Sequence, residues 1–308
     1  TFTNIHPMTG SIAIASQSGA VCSSMLDWST ESKVGFSKFI SVGNKVDIDE
    51  ADLLSYLKDD PDTNVIGMYI EGANRGKELM REAFRTSQVK PIIVLKSGRT
   101  SSGSKAASSH TGALSGSDKI YDAAFHQANV IRVNTIDELF DLLQVFASMP
   151  MPKGDGLAIV TNAGGHGVMA ADACSDYGLR LASFEKSTID KLKGYLPEAA
   201  NLYNPVDVLG DATAARYEFA IKTVMEDPNV SCVAVLLAPL DTVDIKAVAE
   251  HVASFAGKVS MPVVGAFVGG TKTNVGIELM HEAKVPCYDS PDRAIRALGA
   301  MVRYKKMR

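Results

Sequence analysis

The sequence predicts an α/β protein: two tandem, doubly wound parallel-sheet domains related by an internal repeat. Three observations predict it. Short β-branched apolar runs alternate with helical stretches along the whole chain. The runs are apolar at nearly every position, the pattern of strands covered on both faces. The second half of the chain repeats the order of the first. With 308 residues, 46% hydrophobic and 21% charged, the chain is long and apolar enough for two ordinary cores.

The first series of predicted strands lies at residues 11–16, 39–42, 65–70, 91–95 and 130–133. The second lies at 156–161, 206–209, 232–238, 262–267 and 285–288. Helical stretches such as 49–58 and 135–146 fill the gaps. The series match in detail. Ile12-Ala13-Ile14-Ala15-Ser16-Gln17-Ser18-Gly19 aligns with Leu157-Ala158-Ile159-Val160-Thr161-Asn162-Ala163-Gly164. Asp60-Pro61 aligns with Asp227-Pro228, and Lys90-Pro91-Ile92-Ile93-Val94 with Met261-Pro262-Val263-Val264-Gly265. Asn129-Val130-Ile131 aligns with Lys284-Val285-Pro286. Two five-stranded units are expected, joined near Met149-Pro150-Met151-Pro152-Lys153-Gly154, with domains at 1–150 and 151–308.

The alignment isolates one difference. From Pro91 to Asn129 is 38 positions and from Pro262 to Lys284 is 22, so the first copy carries 16 extra residues. They coincide with a Ser- and Gly-rich stretch from Arg99 to Gly116, with His110 inside it and no large apolar residue before Leu114. Such a stretch cannot fold onto its own core and reads as an exposed, mobile loop. Its twin closes the fold without it, so function is the better explanation for its presence. A neutral imidazole in such a loop is a reachable nucleophile near physiological pH.

Composition narrows the partners. A net charge of −4 argues against nucleic acid. The basic end Arg303-Tyr304-Lys305-Lys306-Met307-Arg308 reads as a solvated helix terminus. Cys22, Cys174, Cys232 and Cys287 are scattered in apolar runs without a C-x-x-C pair, as in a reduced, cytoplasmic protein. No run is long enough to cross a membrane, and no signal peptide is expected. The chain opens on Thr1, close to its first strand, as expected of a piece of a longer chain or of a processed one.

Two strand-to-helix turns are rich in small residues: Ser16-Gln17-Ser18-Gly19-Ala20-Val21 and Thr161-Asn162-Ala163-Gly164-Gly165-His166-Gly167. Helix starts with small residues offer free N–H groups to an anion. Ser18 and Asn162 could cap the helix or touch that anion, though glycines that merely permit tight packing would look the same. Facing units would aim the two helix starts at one point. A phosphate held there beside His110 suits phosphoryl transfer through phosphohistidine. Glu71 ends a strand where α/β folds place functional groups and could fix the imidazole tautomer, although a solvated strand-end carboxylate is the commoner case. Its repeat equivalent is Ala238. His6 lies in irregular sequence, while His126, His251 and His281 are expected on helices, at the surface or half-buried. His166 could touch phosphate or face solvent. No spacing supports a metal site or a G-x-S-x-G hydrolase elbow.

Ser108-Ser109-His110-Thr111-Gly112-Ala113-Leu114-Ser115-Gly116-Ser117-Asp118, followed by Tyr121-Asp122-Ala123-Ala124-Phe125, resembles the phosphohistidine segment of ADP-forming acetyl-CoA synthetases. These belong to the nucleoside-diphosphate-forming acyl-CoA synthetase superfamily, with succinyl-CoA synthetase. Ser16-Gln17-Ser18-Gly19-Ala20, Ser41-Val42-Gly43-Asn44-Lys45, Thr161-Asn162-Ala163-Gly164-Gly165 and Asn204-Pro205-Val206-Asp207 extend the resemblance over nearly the whole chain.

The resemblance implies two flavodoxin-like ligase domains. It implies conversion of acyl-CoA, phosphate and ADP to a carboxylic acid, CoA and ATP through acyl phosphate and phosphohistidine. His110 matches the phosphorylated histidine and Glu71 the carboxylate that orients it. Ser18, Gly19 and Ala20, with Asn162, Gly164 and Gly165, match the turns that hold phosphate. The implied cofactors are CoA, ADP or ATP with Mg²⁺, and phosphate. The implied partners are a CoA-binding domain and ATP-grasp domains, on the same chain or another subunit of an oligomer. None of those domains lies within the sequence, so the chain alone is expected not to complete the reaction. His166 stands where relatives frequently have proline. The rival reading is a non-catalytic regulatory module of a protein acetyltransferase-type fusion, in which the histidine is lost; here it is present.

Overall fold

The computed structural model describes residues 4–43, 45, 47–105 and 117–308. The chain divides into two compact units, one running to Ala147 with Met307 and Arg308, the other from Ser148 to Lys306.

In the first unit β1 (Thr9–Ser16), β2 (Phe36–Ser41), β3 (Val65–Ile70), β4 (Ile92–Lys96) and β5 (Ile131–Val133) form an all-parallel sheet of order β2-β1-β3-β4-β5. Helices α1 (Gly19–Glu31), α2 (Glu50–Asp59), α3 (Gly76–Ser87), α4 (Asp118–Gln127) and α5 (Ile136–Ser148) connect them. Buried residues of α2, α3 and α4 (Leu53, Leu57, Leu79, Phe125) pack against Ala13, Ile66, Met68 and Val94. Helix α2 starts where it does because Asp49 caps it and Asp52 completes a capping box. Residues 101–105 are helical, and the described part of the 97–117 connection lies between β4 and α4. His110 and the rest of 106–116 lie outside the described residues, as does Asn44.

The second unit contains β6 (Gly156–Thr161), β7 (Arg180–Leu181), β8 (Val206–Asp207), β9 (Cys232–Leu237), β10 (Val263–Phe267) and β11 (Cys287–Tyr288). They alternate with α6 (Gly164–Tyr177), α7 (Lys186–Tyr195), α8 (Ala214–Met225), α9 (Ile245–Ala253), α10 (Thr271–Glu282) and α11 (Pro291–Met307). The sheet is parallel, in the order β11-β10-β9-β6-β7, with β8 also on β6.

This corrects the expected five strands to six. Where the first unit pairs β2 along β1, the second divides that edge. β7 pairs with Gly156 and Leu157, and β8 with Val160 and Thr161. The chain leaves the sheet between them to form α7, and the Asn204 carboxamide fills the gap. Its Oδ1 accepts the Ile159 N–H at 3.0 Å. Its Nδ2 donates to the carbonyls of Leu157 (2.6 Å) and Ala182 (3.1 Å). A side-chain amide thus supplies the acceptor and donors that a missing strand residue would have given. β2 starts at Phe36, earlier than expected, because this edge strand mixes half-buried polar Ser37 and Lys38 with buried Phe36 and so lacks a continuous apolar run. His281 is buried, not superficial, because Nε2 lies 3.0 Å from the Cys287 carbonyl. All four cysteines are free and buried. Among the described residues no helix is long and apolar enough to cross a membrane.

Candidate functional site

In each sheet the strand order reverses between the first strand and its inner neighbour: β1 and β3, then β6 and β9. The strand ends flanking such a switch point form the crevice in which open α/β sheets hold ligands. Glu71 and Gln17 end β3 and β1 there; Ala238 and Asn162 stand at the same places in the second unit.

The turn after β1 is closed by its own side chains. Ser16 Oγ accepts the Ser18 N–H (3.1 Å) and donates to the Ser18 carbonyl (2.9 Å), and Ser18 caps α1 by accepting from the Val21 N–H. Gly19 and Ala20 follow, exposed, with open space where a Gly19 Cβ would stand. The second unit repeats the device: Thr161 Oγ1 accepts the Ala163 N–H and donates to the Ala163 carbonyl, both at 3.1 Å. The cap of α6 is Ala163, which has no capping side chain, so Asn162 does not cap this helix. Its carboxamide is buried, accepting the Ala238 N–H at 2.8 Å and donating to the Ala238 carbonyl at 3.0 Å. Gly164 and Gly165 are exposed, with the Asp207 carboxylate 3.3 Å from where a Gly164 Cβ would be.

Gln17 does more than Asn162. Its Oε1 accepts the N–H groups of Glu71 (2.9 Å) and Gly72 (3.3 Å). Its Nε2 donates to the Gly72 carbonyl (2.8 Å) and to Glu50. Lys45 adds a second donor to the Gly72 carbonyl at 2.5 Å and pairs with buried Glu50 at 3.2 Å. Tyr121, on α4, accepts the Ala73 N–H at 2.8 Å. Arg75, just beyond, holds Asp49 through two bonds of 2.6 Å and also reaches Asp52, which keeps the Asp49 carboxyl below the usual carboxylate range. The half-buried Glu71 carboxylate itself has one contact among the described residues, the Tyr69 hydroxyl at 3.4 Å. Burial pushes the Tyr69 phenol up, and Glu71 adds to the shift.

The sequence pointed to Glu71 and the two glycine turns, but not to what fixes them. Gln17, Lys45 and Tyr121 stood in the recognised segments without a role, because their partners lie 54, 27 and 48 positions away. Lys96 was missed altogether. It closes an apolar strand, only 1% exposed, donates to the Ser97 carbonyl, and lies 4.7 Å from the centre of the Tyr121 ring. Burial lowers its pKa. His166 sits in the first turn of α6; its Nδ1 is buried with no hydrogen-bond partner among the described residues, and burial favours the neutral ring. Among the described residues no group of three His, Cys, Asp or Glu could hold a metal ion.

Fold and site together define a pair of ligase-type flavodoxin-like domains. Residues 9–146 match the succinyl-CoA ligase like flavodoxin domain and residues 157–308 the ligase-CoA domain. The chain is 43% identical over its whole length to "Acetate--CoA ligase [ADP-forming] I" of Archaeoglobus fulgidus, of which it covers 44%. It is 41% identical to "Acetate--CoA ligase [ADP-forming] I subunit alpha" of Pyrococcus furiosus, with 99% of this chain and 66% of that subunit covered. A solved dinucleotide-forming acetyl-coenzyme A synthetase 1 from Ca. Korarchaeum cryptofilum, in complex with phosphate and ADP, superposes with a TM-score of 0.92 at 33% identity, over 98% of this chain and 66% of that one. The chain belongs to the nucleoside-diphosphate-forming acyl-CoA synthetase family. It spans less than half of the Archaeoglobus relative and about two thirds of the Pyrococcus subunit.

Proposed function

We propose that the chain is the phosphoryl-carrying part of an acid–CoA ligase (ADP-forming). The observation that carries this reading is the turn at 71–73. Its N–H groups at Glu71, Gly72 and Ala73 and its carbonyl at Gly72 are all held by Gln17, Lys45 and Tyr121, while among the described residues the Glu71 carboxylate has only its long contact with Tyr69. A carboxylate presented on so fixed a backbone suits the task of accepting one imidazole N–H and leaving the other ring nitrogen free as nucleophile.

In this reading phosphate attacks the acyl carbon of acyl-CoA, the thiolate of CoA leaves, and acyl phosphate forms. The free ring nitrogen of His110 attacks phosphorus and the carboxylate leaves as the acid, while Glu71 stabilises the positive ring. An ADP oxygen then takes the phosphoryl group, the P–N bond breaks, and ATP and neutral imidazole result. Ser18, Gly19 and Ala20 in one unit, and Gly164 and Gly165 in the other, offer helix-start N–H groups to phosphate. Asn162 contributes by fixing its turn. CoA, nucleotide and Mg²⁺ enter with a CoA-binding domain and ATP-grasp domains, on the same chain or a partner subunit. Free buried thiols suit the cytoplasm. The ligase names of the relatives favour the enzyme over the regulatory module.

The test is incubation of the complete enzyme with phosphate-labelled ATP and Mg²⁺. Acid-labile, base-stable label is expected on the native chain and absent from His110→Asn. Label that persists in His110→Asn overturns the assignment.

A further inference from the structure

The repeat provides an internal control for Lys96. In the sheet registers Lys96 pairs with Ile70, and Phe267 pairs with Leu237. Ile70 precedes Glu71 as Leu237 precedes Ala238. The next residue repeats as well: the Ser97 N–H reaches the Ile70 carbonyl at 3.0 Å and the Val268 N–H the Leu237 carbonyl at 2.9 Å. Lys96 therefore occupies the place of Phe267, and both are fully buried. The scaffold asks only for bulk and apolarity here. A buried ammonium is costly to desolvate, and an apolar residue of similar size is often at least as stable. Among the described residues its ammonium donates to no carboxylate; Asp118 and Glu71 act on it through longer-range attraction, and Arg132 opposes them.

The contacts of the ammonium say what it does. It donates to the carbonyl of Ser97, the first residue of the connection that leads to His110. It lies over the ring of Tyr121, on the helix to which that connection returns. The hydroxyl of the same tyrosine holds the Ala73 N–H in the Glu71 turn. Arg132 fixes the start of that helix by donating to Asp118 and, at 3.3 Å, to Asp122. One cation thus ties together the departing stem, the returning helix and the turn of the orienting carboxylate.

We propose that Lys96 is a positioning residue for phosphoryl transfer, fixing the stems of the 97–117 connection against the turn that presents Glu71. The proposal rests on the phosphohistidine reading above. Without this tie the backbone and folded core survive, but histidine and carboxylate meet less often in the reactive geometry.

The experiment compares Lys96→Met, Lys96→Arg, Tyr121→Leu and the Lys96→Met/Tyr121→Leu double variant in the complete enzyme, with His110→Asn as control. Lys96→Met is expected to unfold at the native temperature or above, yet to phosphorylate about tenfold to a hundredfold more slowly, with KM for ADP and acyl-CoA unchanged. Lys96→Arg should recover part of the rate. The double variant should be little slower than Lys96→Met, because both changes cut one tie. Native phosphorylation in Lys96→Met overturns the proposal. So does a rate loss that merely follows a lowered melting temperature, or one that Lys96→Arg leaves unrelieved. Label persisting in His110→Asn instead overturns the phosphohistidine reading itself, so the two failures are told apart.

Discussion

The switch points of the two units use one device for two purposes. At the end of β1 and of β6 a hydroxyl closes the turn: Ser16 in one, Thr161 in the other. The next residue is a carboxamide that reaches across to the neighbouring strand end: Gln17 in one, Asn162 in the other. Asn162 spends both ends of its amide on Ala238 and stops there. Gln17, one methylene longer, takes two N–H groups and a carbonyl of the Glu71-Gly72 turn and still reaches Glu50. The second unit shows the minimum that the fold needs at a switch point. Whatever the first unit adds to it (Glu71 for Ala238, Lys96 for Phe267, the ties from Lys45 and Tyr121, the inserted connection) lies beyond structural necessity.

The largest effect expected from this contrast is on chemistry. Glu71→Gln should leave the melting temperature near native and slow phosphorylation of the complete enzyme about a hundredfold or more, as loss of a proton-handling group does. Native single-turnover kinetics would remove the functional difference between Glu71 and Ala238.

The next concerns an edge that only the second unit has. Asn204→Ala strips partners from the buried strand groups of Ile159, Leu157 and Ala182. Urea unfolding should show a loss of about 3 kcal/mol, given the cost of leaving such groups unpaired. A loss within error would mean that water or a shifted strand fills the gap equally well.

The carboxamides themselves come third. Gln17→Ala and Asn162→Ala should each cost about 2 kcal/mol in denaturant unfolding, but Gln17→Ala alone should lower the phosphorylation rate out of proportion to stability. Equal kinetic effects from both would erase the distinction between clamp and clamped site.

The smallest effect is a matter of pH. Arg75 holds the Asp49 carboxyl below its ordinary value near 3.8. A lowered carboxylate value contributes stability that is present above the ordinary value and is lost as pH falls through the folded one. Arg75→Gln should therefore raise the midpoint of acid unfolding slightly and change little at neutral pH, the exposed guanidinium being screened. A midpoint that stays put would assign the capping of α2 to Asp49 and Asp52 alone.

The sequence made the sheets legible because a strand buried on both faces cannot hide: β3, β6, β9 and β10 are apolar runs bounded by turn residues. It made β2 only half legible, since an edge strand mixes buried Phe36 with half-buried, polar Ser37 and Lys38. It hid β7, whose two residues carry no periodicity. In the same way the strand-end position of Glu71 and its contrast with Ala238 made it a candidate. Lys96 was not one, because a lysine after an apolar run reads as a strand end entering solvent.

By itself the sequence determined the parallel two-unit fold and the place of the insertion, and it singled out Glu71 and the glycine turns as candidates. These follow from local pattern and from comparing one copy of the repeat with the other. The tertiary structure alone decided which side chains complete each switch point. The groups that Gln17, Lys45 and Tyr121 hold lie far away along the chain, and only parallel strand pairing, with its long crossovers, brings them to one sheet edge.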